Sequence, residues 1–496
     1  MFPLRSIAIV GAGVSGCLAA ATLKRVLGDS CEVTLLALPD DNAINGALAA
    51  VPSLHRLLDL LGVDELALVR ATQATYRLGT CFRDWHAVGD RYFQGFGSIG
   101  AKLDSVPFQH HWLRLAREGG CAPFEDFSMA AQLARLERFA PPHNDPRSVL
   151  SLYSYAWHFD ARLLARALRE LALRLGAVER RGEIAHVDLG SQGEIRELVL
   201  AGGARHGADF YLDCSGMRGA LAGPLGVVYE DWSAWLPCDR WQAVQVDATG
   251  GLQPFVDCQA QADGWRFTMP LQHQTVHGQV YSSEFVGDAV VAERLGAGSS
   301  ALPLQVHPLR RGRPREFWVR NCLLMPGENL DPLESTGLHL AQTGVTRFLA
   351  HFPVRADSPT DRGEYNRLTC EEYDRIRDLL ALHYHATSRE DSRFWRQCRA
   401  ASPPATLADR IALFTDSARL TIGEEEHCGH DGWLAVLLGQ GVQPRSYDPL
   451  AECTPLAHAR DALAKMAAEM QARAASVPLH RDYLLQRSLM SSRSAA

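Results

Sequence analysis

Arg5-Ser-Ile-Ala-Ile-Val-Gly-Ala-Gly-Val-Ser-Gly-Cys17 decides how the chain is read, because an apolar run from Ile7 to Val10 feeds directly into glycines at 11, 13 and 16. That order spells buried strand, tight turn, helix start. Gly11 permits the turn, Gly13 lets a pyrophosphate approach bare backbone, and Gly16 lets the helix pack on the strand, while the helix N-terminus offers unpaired N–H groups to anionic oxygens. An Ala- and Leu-rich helix through Leu27 and a second strand at Glu32 to Leu38 complete a βαβ unit. The stretch therefore reads as a dinucleotide cradle, against the plainer possibility of a glycine turn in an ordinary α/β protein. An acidic residue normally closes the second strand to bind ribose. Here the strand ends near Ala37, with Asp40 or Asp41 as the available substitutes.

Composition bounds the rest. A chain of 496 residues allows two to four modules, and 47% apolar with 22% charged residues is the balance of a globular enzyme. The net charge of −7, with basic residues dispersed, gives no support for nucleic-acid binding. Twelve cysteines are scattered without a Cys-x-x-Cys or a zinc-like Cys/His spacing, so reduced thiols and a cytoplasmic location are expected and no metal site is. No segment reaches the roughly 18–20 apolar residues of a membrane span. Lysine occurs only at 24, 102 and 465.

Along the chain, Val51 to Val63 reads as an amphipathic helix, and the alternation from Thr75 to Phe82 as a strand. Residues 91 to 97 read as an aromatic, Gly-broken loop, fit either to line a flat-ligand pocket or simply to pack. Ala161 to Leu175 has helical spacing. Phe210 to Gly216 is an apolar strand ending in Asp213, Ser215 and Gly216, the place of a second nucleotide contact. Residues 232 to 320 read as a second, antiparallel sheet, 321 to 353 as loop then helix, and the chain beyond Asp361 as mainly helical with a frayed Ser-rich tail after Leu489.

Further words carry a resemblance: Arg70-Ala-Thr-Gln-Ala-Thr-Tyr-Arg77, Tyr155 to Asp160, Asp213-Cys-Ser-Gly-Met-Arg-Gly219, Asp231 to Arg240, Gly264-Trp265 with Pro270, Tyr281 to Phe285, Phe317 to Cys322, Pro332-Leu-Glu-Ser-Thr-Gly337, Phe394-Trp395 and Tyr447-Asp-Pro449. With these in order over residues 5 to 450, the chain resembles the flavin-dependent tryptophan halogenases. The resemblance implies an α/β fold: a Rossmann-like FAD-binding box at 1–230 and 315–360, a substrate-side sheet at 231–314 and a helical pyramid at 361–496.

In that family, reduced FAD forms a hydroperoxide with dioxygen, halide attacks its distal oxygen, and hypohalous acid travels to a lysine beside an aromatic substrate. A glutamate orients the oxidant and takes the ring proton, and a separate reductase supplies reduced flavin. Carried over, Glu334 matches the glutamate, Ser335 its neighbour, and Thr336-Gly337 the pair whose backbone receives halide; a helix start capped by Ser335 or Thr336 would also preserve this word. Gly11, Gly13, Gly16, Asp213 and Gly216 fall to FAD, and Phe96, Trp265, Phe267 and Trp433 to an indole-like ring or to the core. A homodimer is reasonable for the family.

The lysine position is Arg77. A buried amine can lose its proton and offer a lone pair, whereas guanidinium stays protonated above about pH 12 and only donates. Arg77 is then either a donor to oxidant or substrate, or the ion-pair partner of Glu334 or another acid. Other family positions differ too. The box before Val51-Pro52 reads Ala47-Leu-Ala-Ala50, the Gly-rich loop before the glutamate reads Leu324-Met-Pro-Gly-Glu-Asn329, and the substrate-pocket histidine is Gln94. These readings leave an FAD-dependent oxidoreductase, a halogenase or a monooxygenase, against a degenerate relative that serves as binding partner or scaffold.

Overall fold

The computed structural model describes residues 4–39, 46–248, 251–296, 304–325, 330–353, 358–423 and 426–494. Asp40, Asp41 and Glu328 lie outside them. The chain forms two compact units, the first comprising Met1–Ala74, Phe159–Trp241 and Gln305–Ile376, the second Thr75–His158, Gln242–Leu304 and Arg377–Ala496. Segment 75–158, which the sequence reading assigns to the flavin box, is counted in the second unit.

The first unit is built on strands β1 (Ser6–Val10), β2 (Glu32–Ala37), β3 (Val178–Arg181), β4 (Phe210–Asp213), β5 (Trp318–Val319) and β6 (Cys322–Leu324), in spatial order β5-β6-β4-β1-β2-β3. Every pair is parallel except β5 with β6. The inner strands are apolar without alternation, as burial on both faces demands. Helix α1 (Val14–Leu27) is buried on nearly all sides and packs against α3 (Ala161–Arg174) and α4 (Thr336–Ala350). Helix α2 is Leu54–Leu61, shorter than the 51–63 expected, and ends on Gly62 in the left-handed conformation.

In the second unit, strands Arg240–Asp247, Gln274–Tyr281, Gly264–Pro270, Val256–Gln261, Gly79–Arg83 and Arg91–Gly95 follow one another in a mostly antiparallel sheet. Gly79–Arg83 pairs parallel with Val256–Gln261, whereas Val256–Gln261 with Gly264–Pro270, Gly264–Pro270 with Gln274–Tyr281, and Gly79–Arg83 with Arg91–Gly95 are antiparallel. Residues 91–95 are thus a strand, not the loop expected from their glycines. Tyr92 and Phe93 are buried, and Gly95 faces Ala130 and Ser128 so closely that a Cβ would come within 3.0 Å of both. A shorter ladder pairs Thr75–Arg77 antiparallel with Ala156–Asp160. Helices Arg393–Ala400, Ala405–Ser417, His430–Gly439, Leu456–Ser476 and His480–Ser494 fill most of the C-terminal part. The last of these carries helix as far as Ser494, within the Ser-rich tail expected to fray. Asp288–Arg294 is a helix inside the stretch read as strand. Among the described residues, no helix is long and apolar enough to cross a membrane.

Candidate functional site

In the first unit, the chain turns sharply between β1 and α1. Gly11 has φ +104°, and a Cβ there would meet the Cys214 carbonyl oxygen at 2.5 Å. A Cβ on Gly16 would sit 1.9 Å from the Gly11 oxygen, so strand and helix touch through bare backbone. Gly13 differs: as the N-cap of α1 it faces open space, with nothing within 4 Å of a Cβ, and the helix has no acidic residue in its first turn. A helix N-terminus whose N-cap glycine faces open space is what a pyrophosphate needs, so the turn fits a dinucleotide.

Beside the turn lies a cavity of about 280 Å³, lined by Ala12, Ala37 to Pro39, Arg169 of α3, and Glu179 and Arg181 of the neighbouring strand β3. The acid expected at the end of β2 is absent among the described residues there, and Glu179 of β3 is the carboxylate on the wall. It accepts from Arg169 Nε at 2.8 Å and Arg181 Nε at 3.1 Å. Burial pushes its pKa up, and the two guanidinium groups outweigh that, leaving it lowered.

Asp213 ends β4 but turns inward. Its Oδ1 accepts from the Ser215 N–H at 3.0 Å and from the Ser215 hydroxyl, and its Oδ2 from the N–H groups of Leu221 and Ala222 at 2.8 and 3.0 Å. Those four bonds fill the lone-pair positions of a carboxylate, so Asp213 builds the loop carrying Gly216, which has φ +66°. Met325 hydrogen-bonds the Asp213 carbonyl through its N–H, and its sulfur covers Gly344 of α4.

The Pro332 to Gly337 word forms a short 3₁₀ turn at Pro332–Glu334, opened by Asp331, whose side chain accepts from the Leu333 N–H. Ser335 then takes the left-handed conformation, φ +57° and ψ +37°, and Thr336 starts α4. Glu334, Ser335 and Thr336 are all buried. Ser335 makes no side-chain cap, and Thr336 Oγ1 has no hydrogen-bond partner. Capping therefore does not account for these hydroxyls. A left-handed non-glycine residue is strained by about 1–3 kcal/mol, and such strain gathers at functional sites.

Helix α4 also holds a network that no local pattern signals, since its members are far apart in the chain. His339 Nδ1 lies 3.0 Å from Ser53 Oγ, its Nε2 3.0 Å from Glu372 Oε1, and Glu372 Oε2 pairs with Arg347 at 2.9 Å.

In the second unit, Arg77 is 2% exposed. Its Nε donates to the Gly79 carbonyl at 3.3 Å, its Nη2 to Thr80 Oγ1 at 2.8 Å, and the guanidinium lies over the Phe96 ring at 5.0 Å. Thr75, Arg77 and His158 share one face of their ladder, where Thr75 opposes His158 and Arg77 opposes Ala156. Trp265 and Phe267 are neighbours, ring centroids 5.9 Å apart. Trp265 donates to Tyr384 Oη at 3.0 Å, and Phe267 covers Gly278 and lines a cavity of about 260 Å³ with Arg83, Asp257 and His277. Trp433 is buried beneath Arg410 at 4.2 Å, with its Nε1 unpartnered. Gln94 donates to Cys428 Sγ at 3.4 Å. Glu334 and Arg77 belong to different units.

Residues 6–456 match the model of the family described as tryptophan halogenase. The chain belongs to the tryptophan halogenase family. It is 28% identical to tryptophan 7-halogenase KtzQ of Kutzneria over 493 residues, covering 91% of this chain and 92% of that one. In structure it is similar to Xcc4156, a flavin-dependent halogenase from Xanthomonas campestris, at 35% identity and TM-score 0.92 over 98% of both chains. It is likewise similar to BrvH, a flavin-dependent halogenase from Brevundimonas sp. BAL3, at 33% identity and TM-score 0.92 over 98% of this chain and 99% of that one. The expected α/β architecture with a helical C-terminal region is the fold of this family. Flavin-dependent halogenases use FAD reduced by a separate flavin reductase, and a halide.

Proposed function

We propose that this protein is an FAD-dependent enzyme that oxidises halide and transfers it to an aromatic, indole-like substrate. The observation that supports this most is Thr336: a buried hydroxyl without a partner, behind a strained Ser335, at the N-terminus of a 15-residue helix in the first unit. That end offers backbone N–H groups and a partial positive charge to a small anion. Gly13 and the α1 N-terminus would hold the pyrophosphate, and the cavity at Arg169, Glu179 and Arg181 the adenosine end. Bound reduced FAD supplies the two electrons with which dioxygen is activated toward halide.

The chain's own residues then have separable tasks. Thr336 and Gly337 hold the halide by their N–H groups. Glu334, as carboxylate, takes the proton that the ring loses when halogen replaces it. Arg77, a donor at any working pH, stabilises negative charge that develops on the oxidant's oxygen. The separate reductase, a homodimer and a cytoplasmic setting belong to the same proposal.

The test begins with FAD titration followed by visible absorbance. The reading expects a flavin band at saturation; a protein that stays colourless leaves the scaffold role instead. With reductase, bromide and indole, a mass gain of one bromine for hydrogen is expected. Gain of one oxygen would make the enzyme a monooxygenase.

A further inference from the structure

The large sheet of the second unit carries polar rows to which the halide chemistry gives no task. On one face of three neighbouring strands, the register sets Asp257 opposite Thr268 and Thr268 opposite His277, and in the next row Gln259 opposite Arg266 and Arg266 opposite Gln279. All of these except Gln279 line the cavity of about 260 Å³, together with Arg83, Val244, Val246, Arg294 and Leu295. Pockets for small molecules begin at roughly 300 Å³, so the space suits a compact ligand rather than an extended one.

Two of the three arginines on this wall are matched by acids. Arg83 clasps both carboxylate oxygens of Asp257, through Nε at 2.8 Å and through Nη2. Arg294 Nη1 donates to Asp263 Oδ2 at 2.6 Å. Arg266 has neutral acceptors only: its Nε donates to Gln279 Oε1 at 3.2 Å and its Nη2 to the Arg294 carbonyl at 3.4 Å. Gln279 is itself held, because its Nε2 donates to Asp263 Oδ1 at 3.0 Å, and this fixes its oxygen towards Arg266. The guanidinium is therefore aimed, its Nη1 hydrogens have no partner among the described residues, and its charge has no carboxylate.

Two residues along, Thr268 Oγ1 lies 3.0 Å from His277 Nδ1. Burial, then the charge of Arg266, lowers the imidazole pKa, so the ring is neutral at pH 7. If the hydroxyl donates to Nδ1, the ring hydrogen sits on Nε2; if Nδ1 donates, the hydroxyl hydrogen is free. Either way the pair has one hydrogen left to give. Val244 and Val246, on one side of their strand, and Leu295 add an apolar flank. We propose that this cavity binds a small organic carboxylate, its anionic end on Arg266 Nη1 and the spare hydrogen of the Thr268–His277 pair, and its apolar body against Val244, Val246 and Leu295. Phosphate would bring up to two negative charges to one unmatched cation and leave the flank uncovered. The site is independent of the flavin reading above.

The experiment follows the ¹⁹F signal of 4-fluorobenzoate as full-length protein is added, with no flavin present. Saturable broadening is expected with wild type, reversed by benzoate but not by the same concentration of inorganic phosphate. Arg266→Met removes the cation, and Val246→Asp sets a negative charge on the same wall; each should weaken binding roughly tenfold or more, the worth of one hydrogen bond to a charged group. Val246 is 41% exposed, so Val246→Asp should fold and keep the test open even where Arg266→Met does not. Binding at any other aromatic pocket would survive both substitutions, so an unchanged titration in the folded variants overturns the proposal. So does a wild type that shows no saturable broadening, and so does phosphate that displaces the probe as well as benzoate does.

Discussion

His339 Nε2 stands 3.0 Å from Glu372 Oε1 within the first unit, and the same carboxylate takes Arg347 Nη2 at 2.9 Å and the Thr343 hydroxyl at 3.1 Å. Burial alone would raise the Glu372 pKa; the bond and charge of His339, followed by Arg347, bring it down to about 2 from an ordinary 4.5. A lowered folded-state value means that the network stabilises above the unfolded pKa and that this contribution is lost as pH falls from about 4.5 towards 2. Glu372→Gln should therefore cost about 3 kcal/mol at pH 7, because it leaves Arg347 buried without its charge partner. The penalty should shrink steadily below pH 4.5. Urea titrations of both proteins at pH 7, 4 and 3 check it; a penalty independent of pH would show that the pair contributes nothing as a charge.

The three glycines of the first turn should separate binding from folding. Gly16→Ala puts a carbon 1.9 Å from a backbone oxygen that cannot step aside, so it should destabilise the protein by about 3 kcal/mol or more. Gly13→Ala meets nothing within 4 Å, so thermal unfolding of the apoprotein should not move. Its methyl projects into the room assigned to pyrophosphate, and FAD affinity should fall at least about tenfold, the worth of one or two hydrogen bonds to backbone N–H groups. Fluorescence titration with FAD reads the affinity, and equal affinity in Gly13→Ala and wild type would remove the pyrophosphate from this turn.

How much of this was legible in the sequence follows from the range of each signal. The βαβ turn at Gly11 to Gly16 and the Pro332 to Gly337 word are local, with strand, glycines and helix contiguous, and both formed where expected. Residues 91–95 misled because their glycines suggest a loop, whereas Gly95 serves close approach to Ala130 and Ser128 inside a strand. Phe267 and Trp265 look like stacking faces in one dimension, yet a glycine and a tyrosine, 11 and 119 positions away in the chain, engage them. His158 Nδ1 meets Thr75 Oγ1, 83 residues away, and that hydroxyl donates to the carbonyl of Pro270, far from both. No periodicity encodes such a chain of donors and acceptors; only the ladder register brings it together.

Arg77→Met keeps much of the apolar stem and deletes the donors. Thr80 Oγ1 and the Gly79 carbonyl would each lose a bond inside the second unit, so a stability loss of about 1–3 kcal/mol is expected. Product formation should fall further than stability explains, because charge developing on the oxidant's oxygen would have no guanidinium beside it. Comparing initial rates at a temperature where both proteins are fully folded separates the two effects. Unchanged turnover in a folded Arg77→Met protein would leave Arg77 with a packing role over Phe96 alone.

Thr336→Val tests the halide site through a substitution that the fold should welcome. Thr336 is 1% exposed and its buried hydroxyl has no partner, so a methyl of nearly the same shape removes an unsatisfied polar atom at no structural expense. Apoprotein stability should hold or rise by up to about 1 kcal/mol. If the hydroxyl instead completes a halide shell at the N-terminus of α4, the bromide concentration needed for half-maximal rate should increase about tenfold, while the affinity for FAD stays as it was. A rate whose bromide dependence matches that of wild type would mean that Thr336 Oγ1 serves no anion, and the halide would have to be sought at the backbone N–H groups of Thr336 and Gly337 alone.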